Sequence, residues 1–128
     1  MSKTVLKTNG APGAVGPYSQ GVALDGWLWT SGQVALDPDT MELVSGGVEE
    51  QTHQVLKNLA HVLEAAGASF DSVLKTTVFL QRMDDFAAMN AIYAEHFAEN
   101  RPARATVEVS KLPKGALVEV DCVAAVTR

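Results

Sequence analysis

The pattern of apolar and polar positions predicts strands first and a long helix after them. Residues 18–35 read as two short β-strands around a turn at Asp25-Gly26, and the second strand is rich in aromatic residues. From about Val48 the apolar residues recur at helical spacing, which predicts a helix that ends near Gly67. The apolar stripe of this helix consists of Val48, Val55, Leu56, Leu59, Val62, Leu63 and Ala66.

The rest of the chain predicts a strand, a second helix and two more strands. Residues 72–81 are β-branched and apolar, and two further strands cover about 104–110 and 116–127. The second helix is indicated by a stripe of Phe86, Met89, Ile92, Tyr93 and Phe97. This order of elements predicts an α+β fold with a largely antiparallel sheet.

Polar side chains alternate regularly along the last two predicted strands. Arg104 and Thr106 share one face of the first strand, and Glu119 and Asp121 share one face of the second. If the two strands form a hairpin, their apolar faces must coincide, and the four polar side chains then meet on one face. A guanidinium on a strand can grip a carboxylate, and a nearby carboxylate can activate water. The pattern alone favours the other interpretation, a solvated face with cross-strand charge pairs.

Composition and charge limit the classes of function. The chain has 128 residues, 47% of them hydrophobic and 20% charged, which fits one domain over 1–128. Its net charge of −5 disfavours nucleic acid, which needs a concentrated basic surface. No apolar run approaches the length of a membrane helix, and the N-terminus shows no signal peptide, so we expect a cytoplasmic protein without membrane contact.

Candidate chemistry outside the last two strands is sparse. His53, His61 and His96 lack the spacing of a helical metal pair, and the single cysteine, Cys122, falls on an apolar strand face. We therefore predict no metal site and a buried thiol. Ser31 and Gly32 lie at a strand end, where polar groups can reach a ligand, although the residues alone favour an ordinary turn.

An ordered series of short motifs resembles the RidA family of reactive-intermediate deaminases. The motifs run nearly from end to end without a large insertion. They are Gly16-Pro17-Tyr18-Ser19-Gln20, Thr30-Ser31-Gly32-Gln33, Ala65-Ala66-Gly67, Lys75-Thr76-Thr77-Val78, Asp85-Phe86, Asn90, Pro102-Ala103-Arg104 and Leu112-Pro113-Lys114.

The resemblance implies a fold, an assembly and a reaction. It implies a chorismate-mutase-like fold with two helices on one face of the sheet, assembled as a homotrimer with ligand clefts between subunits. The implied reaction hydrolyses small imino and enamino acids that bear a carboxylate to a 2-oxo acid and ammonia. The implied substrates are 2-aminoacrylate, 2-iminopropanoate and 2-iminobutanoate, and no cofactor is expected.

The resemblance also assigns roles to individual residues. It makes Arg104 the residue that grips the substrate carboxylate and Glu119 the residue that positions water near the imine carbon. The remaining substrate-binding positions that it implies are Tyr18, Ser31, Gly32, Asn90 and Thr106. Many bacterial relatives have cysteine where this chain has Thr106, which weakens any proposal that a thiol holds the water.

Two other functions remain open at this stage. The same cleft could belong to a metabolite-binding or regulatory module without turnover, and the threonine at position 106 leaves room for that reading. A ribonuclease or translation inhibitor is the third hypothesis, against which stands the net charge of −5.

Overall fold

Two helices and a six-stranded sheet form the computed structural model, which describes residues 2–126. The strands are β1 (Thr4–Leu6), β2 (Gly21–Leu24), β3 (Trp27–Thr30), β4 (Val73–Leu80), β5 (Ala103–Glu108) and β6 (Val118–Ala125), and the helices are α1 (Val48–Ala65) and α2 (Phe86–Phe97). The predicted α+β class is confirmed, and β1 is an element that the sequence pattern did not reveal. The last strand was predicted to reach residue 127, which lies outside the described residues.

Helix α1 forms where the apolar stripe predicts it. The Gly47 N–H donates a hydrogen bond of 2.7 Å to Oε1 of Glu50, which satisfies a donor that the first turn would leave free. Gly67, at φ +76°, follows the C-terminus of the helix in the left-handed conformation that glycine adopts at little cost. The side chains of the stripe are buried against the sheet.

The sheet order β1-β2-β3-β6-β4-β5 separates the last two strands. β4 pairs in parallel with β5 on one side and antiparallel with β6 on the other, so the predicted hairpin between β5 and β6 is wrong. The connection instead crosses the end of β4, where the side chain of Gln81 donates to the Ser110 carbonyl at 3.0 Å and accepts from the Leu112 N–H at 3.2 Å. The parallel pair is closed by α2, as parallel strands require a crossover.

This strand order places each side chain of β5 on the face of the sheet opposite to the one expected. Residues paired across a sheet point to the same face, and Arg104 pairs with Thr76, which pairs with Cys122. Arg104 therefore lies on the helix-covered face of the sheet with Cys122, whereas Glu119 points to the opposite face. The predicted meeting of Arg104 and Thr106 with Glu119 and Asp121 within one chain is wrong. The apolar faces of β5 and β6 do not coincide, because no hairpin links the two strands.

Both helices cover one face of the sheet, as predicted. The core fills the space between them, and Cys122 is buried in it as expected. The opposite face, which we call the open face, is covered by no second layer formed from residues 2–126. Its apolar side chains are therefore accessible, and Trp27, Trp29 and Val107 are 46%, 44% and 41% exposed.

One buried amide holds the segment between β1 and β2. Nε2 of Gln20 contacts the carbonyls of Thr8, Ala11 and Pro12 at 3.0, 3.3 and 2.9 Å. Oε1 of Gln20 accepts from the Thr8 N–H at 2.7 Å. These side-chain bonds satisfy backbone groups that no strand pairing reaches.

Candidate active site

The seven residues predicted for the site divide into two groups on opposite faces of the sheet. The arginine cluster consists of Asn90, Arg104 and Thr106 on the helix-covered face. The glutamate cluster consists of Tyr18, Ser31, Gly32 and Glu119. The first group lies at the outer strand β5 and the second around the start of β6.

Arg104 is held by helix α2 from one side. Its Nη1 donates a hydrogen bond of 2.7 Å to Oδ1 of Asn90. The guanidinium carbon lies 4.7 Å from the ring centre of Tyr93 and 5.4 Å from that of Phe86. These separations are within the range of cation–π attraction, so the helix supplies both a hydrogen-bond acceptor and two aromatic rings.

No acidic side chain neutralises Arg104 within the described chain. Within residues 2–126, the one ion pair is that between Arg82 and Asp84, both of them exposed. A half-buried guanidinium with one of its N–H groups bonded to an amide keeps donors for a ligand anion.

Thr106 adds an unsatisfied hydroxyl to the same face. Its Oγ1 is buried and has no hydrogen-bond partner in the described structure. Burial of an unpaired hydroxyl is costly, and such groups are uncommon in folded proteins. Because Thr106 lies two residues beyond Arg104 on β5, the two side chains point to the same face of the sheet.

The glutamate cluster is centred on a close approach between Gly32 and Glu119. A Cβ built on Gly32 would lie 2.7 Å from the carboxyl carbon of Glu119, a distance that no real side chain tolerates. Glycine is thus the residue that lets the carboxylate rest against the backbone here.

An irregularity in the sheet brings these two residues together. Trp29 pairs with Val123 and Gln33 pairs with Val120, so residues 30–32 face only residues 121–122. One extra residue on one strand is a β-bulge, and bulges redirect the backbone near functional sites. The Thr30 hydroxyl accepts from the Cys122 N–H at 3.0 Å and so satisfies a donor inside the bulge.

The electrostatics of the open face raise the pKa of Glu119. Burial is the larger cause, and the neighbouring negative charge of Asp121 adds to it. Burial also raises the pKa of Asp121, while a hydrogen bond from Thr77 and the charge of Lys75 oppose this. A carboxyl whose pKa moves toward neutrality is better suited to exchange protons with water.

Tyr18 and Ser31 complete the glutamate cluster, and they differ in exposure and in hydrogen bonding. The Ser31 hydroxyl donates to the Ser19 carbonyl at 2.5 Å, so its hydrogen is already used within the chain. Tyr18 is 51% exposed. It lines a small cavity of about 50 Å³ together with Gly32 and a groove of about 290 Å³ together with Ser31.

Sequence reasoning missed the aromatic side of the arginine cluster. Phe86 and Tyr93 were read as part of an apolar core stripe, although Asn90 interrupts that stripe at helical spacing. Residues 86, 90 and 93 fall on one face of α2, and all three contact Arg104. The polar residue within the stripe was the signal in the sequence.

Two features are absent from residues 2–126. In that part of the chain no three His, Cys, Asp or Glu side chains are grouped as metal ligands would be. Neither helix there combines the length and the hydropathy needed to cross a bilayer.

The fold and the two clusters define a class of small α+β protein, with an arginine and a glutamate on opposite faces of one sheet. The model of the family described as Endoribonuclease L-PSP matches residues 8–126. A RutC family protein of Synechocystis is 54% identical over 126 residues, which cover 97% of each chain. The chain therefore belongs to this family.

Two further relatives carry more specific names. The Homo sapiens protein named 2-iminobutanoate/2-iminopropanoate deaminase is 48% identical over 124 residues, covering 97% of this chain and 90% of that protein. The crystal structure of Escherichia coli TdcF with bound serine superposes with a TM-score of 0.92 at 37% identity, covering 97% of this chain and 99% of that one. The resemblance found in the sequence is confirmed.

Proposed function

We propose that this protein is an imine deaminase that hydrolyses small 2-imino acids and their enamine tautomers to 2-oxo acids and ammonia. The observation that carries the proposal is Arg104, a half-buried cation without an acidic partner in the described chain, beside the unpaired hydroxyl of Thr106. A substrate carboxylate supplies the acceptor that the remaining N–H donors of Arg104 need. The activity named for the human relative supports this substrate class. 2-Aminoacrylate is a further substrate that we propose.

Little chemical machinery is needed for this reaction. Arg104 binds the substrate carboxylate, and water adds to the electrophilic carbon of the C=N bond. Glu119 takes a proton from this water, which its raised pKa favours. The protonated imine thereby becomes a neutral carbinolamine. Glu119 returns the proton to the carbinolamine nitrogen, and ammonia leaves as the C–N bond breaks and the hydroxyl group loses its proton to become the carbonyl of the 2-oxo acid. Positioning and charge stabilisation carry the rate, and no cofactor is assigned to any step.

The complete site requires a second copy of the chain. Arg104 and Glu119 lie on opposite faces of one sheet, so neither cluster completes the other within one subunit. We assign the arginine cluster of one subunit and the glutamate cluster of the next to a shared cleft, in a homotrimer. The accessible apolar side chains of the open face support burial against another copy. A cytoplasmic location stays the prediction made from the sequence.

A binding module without turnover is the second candidate. It is favoured by Thr106, because a hydroxyl at this position can hold a ligand but is a weaker nucleophile and acid than a thiol. This alternative keeps the carboxylate site and predicts binding of 2-oxo acids with no release of ammonia from imines.

The deciding experiment measures the loss of 2-aminoacrylate generated by a serine or threonine dehydratase, with semicarbazide trapping the imine that remains. We expect the wild-type protein to deplete the imine and release ammonia, and Arg104→Ala to lower kcat/KM by about 100-fold through loss of the charge-assisted carboxylate contact. Arg82→Ala, which removes an exposed arginine, is the matched control and should leave the rate unchanged.

The other results decide between the alternatives. Binding of a 2-oxo acid in calorimetry without imine turnover would favour the binding module. RNA cleavage that survives repurification and is lost in Arg104→Ala would instead favour the ribonuclease activity that the family description names.

A further inference from the structure

We propose that Tyr93 is a positioning residue for Arg104, and that its ring fixes the guanidinium in the orientation that receives the substrate carboxylate. This inference rests on the proposed function of the arginine cluster and extends it to a residue beneath the site. Tyr93 is buried, with 7% of its surface exposed, so it acts on the substrate only through Arg104.

The ring of Tyr93 is the closer of the two aromatic groups around the guanidinium. Its centre lies 4.7 Å from the guanidinium carbon, compared with 5.4 Å for Phe86. A planar cation over an aromatic face keeps its N–H groups at its edge, which is where a carboxylate binds in a two-point contact. The hydrogen bond of Arg104 to Asn90 then selects the rotation of the guanidinium within that plane.

The ring itself is fixed from below. Its hydroxyl and that of Thr76 form a buried hydrogen bond of 2.7 Å. Thr76 is the β4 residue that pairs with Arg104 in the parallel register. The backbone that carries the arginine and the hydroxyl that anchors the tyrosine are therefore joined by the same strand pair.

The ring of Tyr93 also packs against that of Phe97 within the core. The ring centres of Tyr93 and Phe97 lie 4.5 Å apart, and Phe97 also contacts Phe70 edge-on. The tyrosine ring is thus packed between the core and the guanidinium. Burial raises the pKa of Tyr93, so the hydroxyl stays neutral at physiological pH and adds no charge that would compete for Arg104.

The test measures binding of pyruvate, a 2-oxo acid product, against pyruvamide, which lacks the carboxylate. We expect Tyr93→Leu to weaken pyruvate binding by about tenfold, the size expected for a partly desolvated cation–π contact, and to leave pyruvamide binding unchanged. Tyr93→Phe keeps the ring and should retain most of the preference for pyruvate. A general loss of packing would weaken both ligands equally.

Two controls separate positioning from loosening of the core. Phe97→Leu truncates the neighbouring ring in the same helix and should leave the preference for pyruvate intact. In an Arg104→Ala background, Tyr93→Leu should cause no further loss of pyruvate binding, because the coupled partner is absent. Equal losses in Phe97→Leu and Tyr93→Leu, or additive losses with Arg104→Ala, would overturn the inference.

The outcome is distinguishable from failure of the proposed reaction. If wild-type protein binds pyruvate with a preference that depends on the Tyr93 ring but does not hydrolyse imines, the positioning role stands and the deaminase proposal fails. If wild-type protein hydrolyses imines and Tyr93→Leu keeps the full preference for pyruvate, the positioning role fails alone.

Discussion

Arg104 and Glu119 point to opposite faces of the same sheet, because β4 separates the strands that carry them. Their position on opposite faces decides whether a site that uses both residues lies within one chain or between chains. A carboxylate on Arg104 can reach a Glu119 side chain only if that side chain belongs to a neighbouring subunit.

Mixed assemblies should therefore restore activity that each variant lacks alone. Arg104→Ala and Glu119→Gln remove opposite walls of the proposed cleft, so in a mixed homo-oligomer some clefts combine an intact arginine with an intact glutamate. Random mixing at equal amounts predicts about a quarter of the wild-type activity. The measurement is imine hydrolysis by co-expressed variants, with the composition of the oligomers checked by native mass spectrometry.

The control for this experiment pairs Arg104→Ala with the double variant Arg104→Ala/Glu119→Gln. No cleft in that mixture holds both residues, so activity should stay absent. If verified mixed oligomers of the two single variants are equally inactive, the division of the site between subunits is wrong.

The pH dependence of imine hydrolysis should reflect the raised pKa of Glu119. Activity that needs the carboxylate as a base rises as the group loses its proton, so the acidic limb should have its midpoint above the ordinary value of 4.5. Asp121→Asn removes the charge that contributes to the shift and should move the midpoint to lower pH. Asp71→Asn, on an exposed turn, is the matched control for charge removal.

The raised pKa of Glu119 also predicts how the free energy of unfolding depends on pH. This free energy is measured by denaturant unfolding at fixed protein concentration. The folded-state pKa of Glu119 is raised, so ionising it opposes folding once the pH exceeds the unfolded-state value. Glu119→Gln should therefore be more stable than wild type near pH 7. The advantage should shrink as the pH falls through the folded-state pKa and vanish below about 4, where the carboxyl is protonated in both states. An advantage that is constant with pH would contradict this account.

Gly32→Ala should impair turnover without impairing carboxylate binding. The added methyl group would lie 2.7 Å from the carboxyl carbon of Glu119 and must displace the carboxylate. We expect kcat to fall by about 10- to 100-fold, as for a displacement of about 1 Å in a catalytic group, with little change in the affinity for pyruvate. Gly47→Ala, where an added Cβ comes no closer than 3.9 Å to Glu50 at the start of α1, should leave both quantities unchanged.

Cys122 should be inert in the folded protein. Burial raises the pKa of its thiol to about 12, so almost no thiolate is present at neutral pH. Labelling with a disulfide reagent should be slow in the native state and rapid after unfolding. Fast native labelling would mean that the interior around β6 opens readily.

The sequence predicted the helices and most strands because their periodicity is local. The stripe from Val48 to Ala66 has helical spacing, and this spacing can be recognised without knowing what the helix packs against. The facing of Arg104 was not predictable in the same way. It depends on which strand lies beside β5, and that is decided by the path of residues 109–117 across the end of β4.

The candidate site shows the same limit. The resemblance named Arg104 and Glu119, yet pattern alone placed them together within one chain. The contact of Tyr93 with Arg104 joins a helix to a strand and leaves no local periodic signal. The approach of Gly32 to Glu119 arises from a bulge, and one extra residue on one strand cannot be read from alternation.

The amide of Gln20 makes one wall of the proposed cleft dependent on a single side chain. It binds the backbone at residues 8, 11 and 12, and the loop that begins there leads directly to Tyr18 beside Gly32. If the Gln20 side chain loses these hydrogen bonds, the backbone groups that it binds become accessible to solvent at the same time. Hydrogen exchange at residues 8–12 would then follow one cooperative opening, and the mobility of Tyr18 would be governed by a residue that touches no substrate.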